Sequence, residues 1–240
     1  MTTLTELREP LREWLKDKSA REAALLSVGY QGSVYLFERN GKRWVVKRAG
    51  TGLFTSWLHR LMLHREAAVY ARLSSVTGVP QSLGMLDDEW LILEYISGEP
   101  LRQARYELKD PDTFYTHLHQ VITDIHAAGV VHGDLKRKEN ILVTAAELPC
   151  VLDFGTALQR DGALLDRVLF NTVARADFNA WIKVKYANDY TRISPLDSEW
   201  YRPSLFEMVL RGLRRFWRAI SFRQFRKQRR AQRARKAQQK

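Results

Sequence analysis

Two short stretches near the middle of the chain constrain it most: VHGDLKRKENIL at residues 131–142 and VLDFG at residues 151–155. In the first, Asp134 and Asn140 share a loop flanked by apolar runs that hold it still. In the second, Asp153 ends a run with the apolar character of a buried strand. A buried carboxylate without a partner is costly, so Asp134 and Asp153 require cations or hydrogen-bond donors nearby. Asn140 and Asp153 are also the oxygen ligands that suit a hard cation.

Upstream, SVGYQGSV (residues 27–34) carries Gly29 and Gly32, and glycines at a strand turn let backbone N–H groups approach phosphates closely. Thirteen residues after Val34, an apolar run ends in Lys47, a cation placed either at a solvated edge or in a cleft. Asn40-Gly41 between two apolar runs predicts a β-hairpin. Residues 56–74 read as a helix in which Glu66 stands beside Ala67, Ala68, Val69 and Leu73. Residues 90–96 read as a buried strand and residues 112–128 as a helix with Phe114, Leu118, Val121, Ile122 and Ile125 on one face. Short strands follow around His132, at 141–143 and at 151–153, and the remainder to about residue 220 reads as helical. Before all of these, residues 3–18 predict an amphipathic helix with Thr3 and Glu6 at capping-box spacing and Leu4, Leu7, Leu11 and Leu15 on the side that packs on the body. Strands first, one helix among them, then mostly helices: the order is that of an α+β chain with a β-rich first lobe and an α-rich second. No internal repeat is present.

With 240 residues, 45% of them apolar, the chain buries a core of its own. Cys150 is its single cysteine, which excludes an internal disulfide and suits a reducing compartment; it lies in an apolar run and reads as core. The net charge of +12 is localised: residues 211–240 hold 13 Lys/Arg and no Asp/Glu, while the other 26 basic residues nearly balance all 27 acidic ones. Leu213, Phe216, Trp217 and Ile220 interleave with arginines there, a pattern that predicts docking on an anionic membrane surface, with RNA as the less favoured partner. The first residues, with Glu6 and Glu9, do not form a secretory signal, and no run of apolar residues reaches membrane-spanning length. The expectation is a cytoplasmic protein, peripheral on the inner face of the cytoplasmic membrane.

Taken together and in order, the Gly-rich turn, the strand lysine, the helix glutamate, the apolar strand at 90–96, the HGDLK…N loop and the DFG triplet resemble the protein-kinase-like superfamily. Within it the chain looks like RIO-type kinases and the bacterial kinases of lipopolysaccharide core sugars (heptose and Kdo kinases). The resemblance implies a two-lobed fold with a short helical C-lobe: residues 1–24 an N-terminal helix, 25–96 the N-lobe, 97–220 the C-lobe and 221–240 a basic tail. It implies that ATP meets Gly29, Gly32 and Val34, that Lys47 holds phosphates and pairs with Glu66, and that the backbone at Glu94 and Ile96 meets the adenine. It further implies that Asp134 takes or orients the acceptor proton, that Lys136 neutralises the transferred phosphate, and that Asn140 and Asp153 hold Mg²⁺.

Several departures from the family pattern carry information. Ser27 replaces the first loop glycine. The arginine of the usual HRD triplet is absent, so activation by a phosphorylated loop docking there is not expected. Six residues rather than five separate Asp134 from Asn140, which puts Glu139 at the nominal metal position; Asn140 is preferred because Ile141 and Leu142 anchor it to a strand. No Ala-Pro-Glu motif follows Gly155. The implied activity is transfer of a phosphoryl group from Mg²⁺-bound ATP to a hydroxyl, on a lipid-linked sugar or a protein Ser/Thr. The alternative is a non-catalytic scaffold or nucleotide sensor whose tail binds RNA or another anionic partner.

Overall fold

The computed structural model describes residues 3–29, 32–50, 56–160 and 164–202. The chain divides into two units, Met1–Trp200 and Tyr201–Lys240. In the second unit only Tyr201 and Arg202 are described, so the expectations on the tail lie outside the described residues.

Helix α1 (Leu4–Lys16) is capped by Thr3, whose hydroxyl accepts the Glu6 N–H at 3.4 Å. Pro10 removes one internal hydrogen bond from it. The helix persists because Leu7 and Leu11 are buried against Phe37, Trp44, Val46, Leu86, Trp90 and Ile92. The helix expected over 3–18 breaks at Asp17, whose carboxylate caps α2 (Lys18–Ala23) by accepting the Ala20 N–H at 3.0 Å.

Strands β1 (Leu25–Gly29), β2 (Gly32–Arg39) and β3 (Lys42–Ala49) form a meander. Asn40 and Gly41, with φ of 52° and 70°, make the tight turn between β2 and β3. Helix α3 (Ser56–Arg72) follows, then β4 (Ser82–Leu86) and β5 (Trp90–Glu94). The five strands form one antiparallel sheet in the order β1-β2-β3-β5-β4. The strand expected over 90–96 ends at Glu94, where the chain leaves the sheet.

The second lobe starts with β6 (Gly98–Pro100), α4 (Leu101–Ala104) and α5 (Pro111–Ala127). The predicted apolar face of α5 is its buried face: Phe114, Leu118, Val121, Ile122 and Ile125 are all in the core. Next come β7 (Val130–Val131), a 3₁₀ turn at Lys138–Asn140, β8 (Ile141–Thr144), β9 (Pro149–Val151) and β10 (Leu158–Gln159). They make two small antiparallel sheets, β6-β8-β9 and β7-β10. The strand expected to run through Asp153 ends at Val151, because Asp153 has φ of 65°, incompatible with extended pairing. Helix α6 (Leu164–Lys185), a 3₁₀ turn at Tyr190–Arg192 and α7 (Pro195–Ser198) complete the unit. The architecture is a two-lobed, kinase-like α+β fold with a short helical second lobe. Among the described residues no helix is long and apolar enough to cross a membrane.

Candidate active site

A cleft of about 550 Å³ runs between the first sheet and the loops of the second lobe, with Gly32, Val34, Lys47, Glu66, Asp134, Arg137 and Asp153 on its walls. Its roof is the β1–β2 end of the meander, where Gly29 pairs with Gly32. At Gly32, with φ of 151°, a Cβ would lie 1.9 Å from the Arg48 carbonyl oxygen, so no other residue fits this strand crossing.

Lys47 lies opposite Val34 in the β2–β3 ladder and directs its side chain into the cleft. Its ammonium is 2.6 Å from the buried Glu66 carboxylate on α3 and 3.4 Å from Asp153. Burial works against the charge on Lys47, but the carboxylates of Glu66 and Asp153 outweigh it and raise its pKa. Burial likewise pushes the Asp153 carboxyl up, and Lys47 more than compensates, leaving it below the ordinary range. Both groups are therefore charged at neutral pH, as a phosphate grip and a cation ligand require.

The catalytic-loop candidates are held from below. His132 is fully buried; its Nδ1 accepts the Asp134 N–H at 3.2 Å and its Nε2 lies 2.9 Å from the Leu152 carbonyl oxygen. An N–H facing Nδ1 and a carbonyl facing Nε2 place the ring proton on Nε2. Asn140, only 6% exposed, donates from Nδ2 to the Asp134 carbonyl at 3.1 Å. That carbonyl only accepts, which sets the amide orientation and leaves Oδ1 as the acceptor. Asn140 is further tied to the segment that leads into Asp153 by its own carbonyl, which accepts the Leu152 N–H at 2.8 Å. Glu139 turns the other way: its half-exposed carboxylate meets Arg102 at 2.8 Å, which holds it below the usual carboxylate range.

Not every expected residue lines the cleft. Lys136 is exposed and lies outside its lining, as do Gly29, Glu94, Ile96 and the buried Asn140. Glu94 instead accepts the Gln81 N–H at 3.1 Å. Two residues not anticipated from sequence take part. Arg137 lines the cleft with its Nε 3.3 Å from the Asp134 carboxylate. Asp177 on α6, 1% exposed, accepts the His132 and Gly133 N–H groups at 2.8 and 2.9 Å and meets His126 Nε2 at 3.1 Å. The sequence held a signal for Asp177: it lies seven residues after Phe170 and four before Trp181, both buried, so it stands on the apolar face of its helix, where a carboxylate needs donors.

The donor set fits Mg²⁺ bound with a nucleotide. Among the described residues no cluster of three or more His, Cys, Asp or Glu side chains could hold a metal, so a cation at Asp153 and Asn140 would draw its other oxygens from phosphates and water. Magnesium is bound in that way, through one or two protein oxygens plus substrate phosphates.

Comparison with known proteins agrees with the kinase-like fold. The family model described as RIO domain matches residues 48–173. The probable serine/threonine-protein kinase PkwA of Thermomonospora curvata is 29% identical over 153 residues, 60% of this chain and 20% of that protein. Serine/threonine-protein kinase PknD of Mycobacterium tuberculosis is 32% identical over 142 residues, 55% of this chain and 21% of that protein. Serine/threonine-protein kinase D of Synechocystis sp. is 27% identical over 128 residues, 51% of this chain and 25% of that protein. The chain thus spans a quarter or less of the length of these relatives.

Proposed function

The chain belongs to the RIO domain family, and from that premise we propose that it is an ATP- and Mg²⁺-dependent kinase that transfers the γ-phosphoryl group to a hydroxyl. The observation that carries the reading is Lys47, within 2.6 Å of Glu66 and 3.4 Å of Asp153 in a cleft that Asp134 also lines.

In this reading Lys47, fixed by Glu66, grips the nucleotide phosphates, while the glycine-bounded turn at Gly29 and Gly32 and the Val34 side chain cover them. The backbone at Glu94 and Ile96 faces the adenine. Asp153 and Asn140 Oδ1 hold Mg²⁺, which when bound neutralises phosphate charge. Asp134 orients the acceptor hydroxyl and takes its proton; Arg137 supplies positive charge beside it, with Lys136, outside the cleft lining, as the second cation. Phosphoryl transfer asks the protein mainly for positioning and charge neutralisation, and these residue types provide both. The second reading is a non-catalytic scaffold or nucleotide sensor, and the lengthened Asp134–Asn140 loop is the feature that favours it.

The acceptor is a lipopolysaccharide core sugar or a protein Ser/Thr side chain; the names of the relatives favour the second and the likeness to sugar kinases the first. Residues 211–240 bring the enzyme to an anionic membrane surface.

The test is turnover of radiolabelled ATP, with a lipopolysaccharide core fraction and a general protein substrate offered in parallel. Lys47→Ala and Asp153→Ala are each expected to lose roughly 10²–10³-fold in rate, the scale of removing one preorganised electrostatic contact at about 3 kcal/mol. Circular dichroism should be unchanged. Wild-type rates in either variant would overturn the proposal.

A further inference from the structure

Asp153 sits at the centre of the proposed site with φ of 65°, in the left-handed region that aspartate enters more readily than most non-glycine residues. The peptide between Leu152 and Asp153 is gripped at both ends by side chains from the two lobes. On the carbonyl side, His132 Nε2 lies 2.9 Å from the Leu152 oxygen. On the amide side, the Asp153 N–H donates to the phenol oxygen of Tyr70 at 3.3 Å.

Tyr70 is well placed to be a fixed point. It lies one helical turn after Glu66 on α3, is 1% exposed, and packs edge-on against Phe154 with ring centroids 5.1 Å apart. Phe154 in turn meets the His132 ring at 4.9 Å. A tyrosine hydroxyl oxygen can accept a hydrogen bond while its own O–H stays in place, and here it accepts the Asp153 N–H.

We infer that Tyr70 is a positioning residue whose hydroxyl oxygen locks the Asp153 peptide in the orientation from which the carboxylate reaches Lys47 and bound Mg²⁺. The inference rests on the metal reading given above. It makes α3 a two-point clamp: Glu66 fixes the lysine and Tyr70, four residues on, fixes the aspartate. Neither the ring nor its packing suffices for this; the oxygen atom is what matters.

The discriminating variant is Tyr70→Phe, which keeps the ring against Phe154 and removes only the acceptor. Two readouts are required, neither of them turnover. The first is hydrogen exchange of the Asp153 amide by NMR, expected to accelerate at least tenfold in Tyr70→Phe while the thermal midpoint stays within a few degrees of wild type. The second is calorimetric ADP binding with Mg²⁺ and with EDTA. Tyr70→Phe should lose at least fivefold of the tightening that Mg²⁺ brings, with metal-free ADP affinity within twofold of wild type. Asp153→Ala should lose all of that tightening, and the double variant should match Asp153→Ala, because the two residues act through one contact. Unchanged amide exchange in Tyr70→Phe overturns the inference whatever the metal does. So does a full magnesium effect in Tyr70→Phe when Asp153→Ala has lost it. A full magnesium effect in Asp153→Ala instead overturns the metal reading.

Discussion

Glu139 and Asn140 are adjacent and both able to ligate a cation, yet their surroundings separate them. Asn140 is buried with its amide nitrogen committed to the Asp134 carbonyl, whereas the Glu139 side chain is 50% exposed and paired with Arg102. We expect Asn140→Ala to raise the Mg²⁺ concentration for half-maximal turnover about tenfold or more, and Glu139→Ala to leave it within about twofold, since loss of an exposed ion pair is worth at most about 1 kcal/mol. The reverse result, from a magnesium titration of both variants, would make Glu139 the ligand. Cys150 illustrates the same rule with a different outcome. It was read from its apolar neighbours as core, and burial, with Glu94 adding to it, pushes its thiol up to about 12. An aromatic disulfide reagent at pH 8 should label it only after denaturant is added, because the thiolate is the nucleophile; rapid labelling of the native protein would contradict the burial.

At the scale of elements, one helix outside the motifs braces the site and another braces the first lobe. Asp177 on α6 accepts two consecutive backbone amides of the loop that carries Asp134, and replacing it by alanine leaves the buried His132 N–H and the part-buried Gly133 N–H without that partner. Each orphaned donor costs about 1–3 kcal/mol. Asp177→Ala should therefore lose on the order of 3 kcal/mol in denaturant unfolding and most of its turnover, while Asp124→Ala on α5, at an exposed hydrogen bond to Gln120, should lose little. Equal stability in the two variants would remove Asp177 from this role. Helix α1 is integrated in the first lobe in a comparable way: Leu11 is 0% exposed within a cluster drawn from β2, β3, β4 and β5. Leu11→Ala should cost about 2–5 kcal/mol, the range for a large buried residue cut to alanine, and a loss below about 1 kcal/mol would mean that the helix is peripheral.

Across the whole molecule the carboxylates predict an acid-labile fold. Hydrogen bonds from Arg12 to Asp87, Thr113 to Asp110, Arg102 to Glu139 and Thr191 to Asp189 hold those carboxyls below their ordinary values. In Asp197 burial pushes upward, but Lys185 and Tyr186 prevail and the shift is downward. A carboxyl depressed in the folded state binds fewer protons there than in the unfolded chain, so stability rises with pH through this window. The contribution is fully present above the unfolded carboxylate pKa of about 4 and is lost as pH falls through the folded values. Thermal midpoints should be flat from about pH 5 to neutrality and fall below about pH 4, with Asp197→Asn showing a shallower fall; an acid limb unchanged by that substitution would exclude Asp197 as a contributor. The proposed membrane docking is also a whole-molecule property. Co-sedimentation with anionic liposomes should weaken with salt and largely vanish on deletion of residues 211–240, whereas retention of single-stranded RNA without liposome binding would replace that reading.

What the sequence by itself determined is whatever depends on near neighbours along the chain. Asn40-Gly41 specifies its turn because those residues tolerate positive φ, alternation and apolar runs mark the sheet, and the spacing of Phe114, Leu118, Val121 and Ile125 marks the buried face of α5. The order of Gly32, Lys47, Glu66, Asp134, Asn140 and Asp153 was legible for the same reason, as each lies at a recognisable place in its own element. Only the tertiary structure decided which of them meet. Lys47 reaches Glu66 across 19 residues and Asp153 across 106, and no local pattern encodes either distance. Tyr70 holds an ordinary place on an apolar helix face and Asp177 an unusual one, but what each meets is a backbone amide 44 to 83 residues away along the chain. Propensity and periodicity act over a few residues. The partner of a buried polar group is chosen by how the lobes pack, which is why the elements are legible locally, the Lys47–Glu66 tie follows only from the family resemblance, and the ties of Tyr70 and Asp177 appear only in the folded structure.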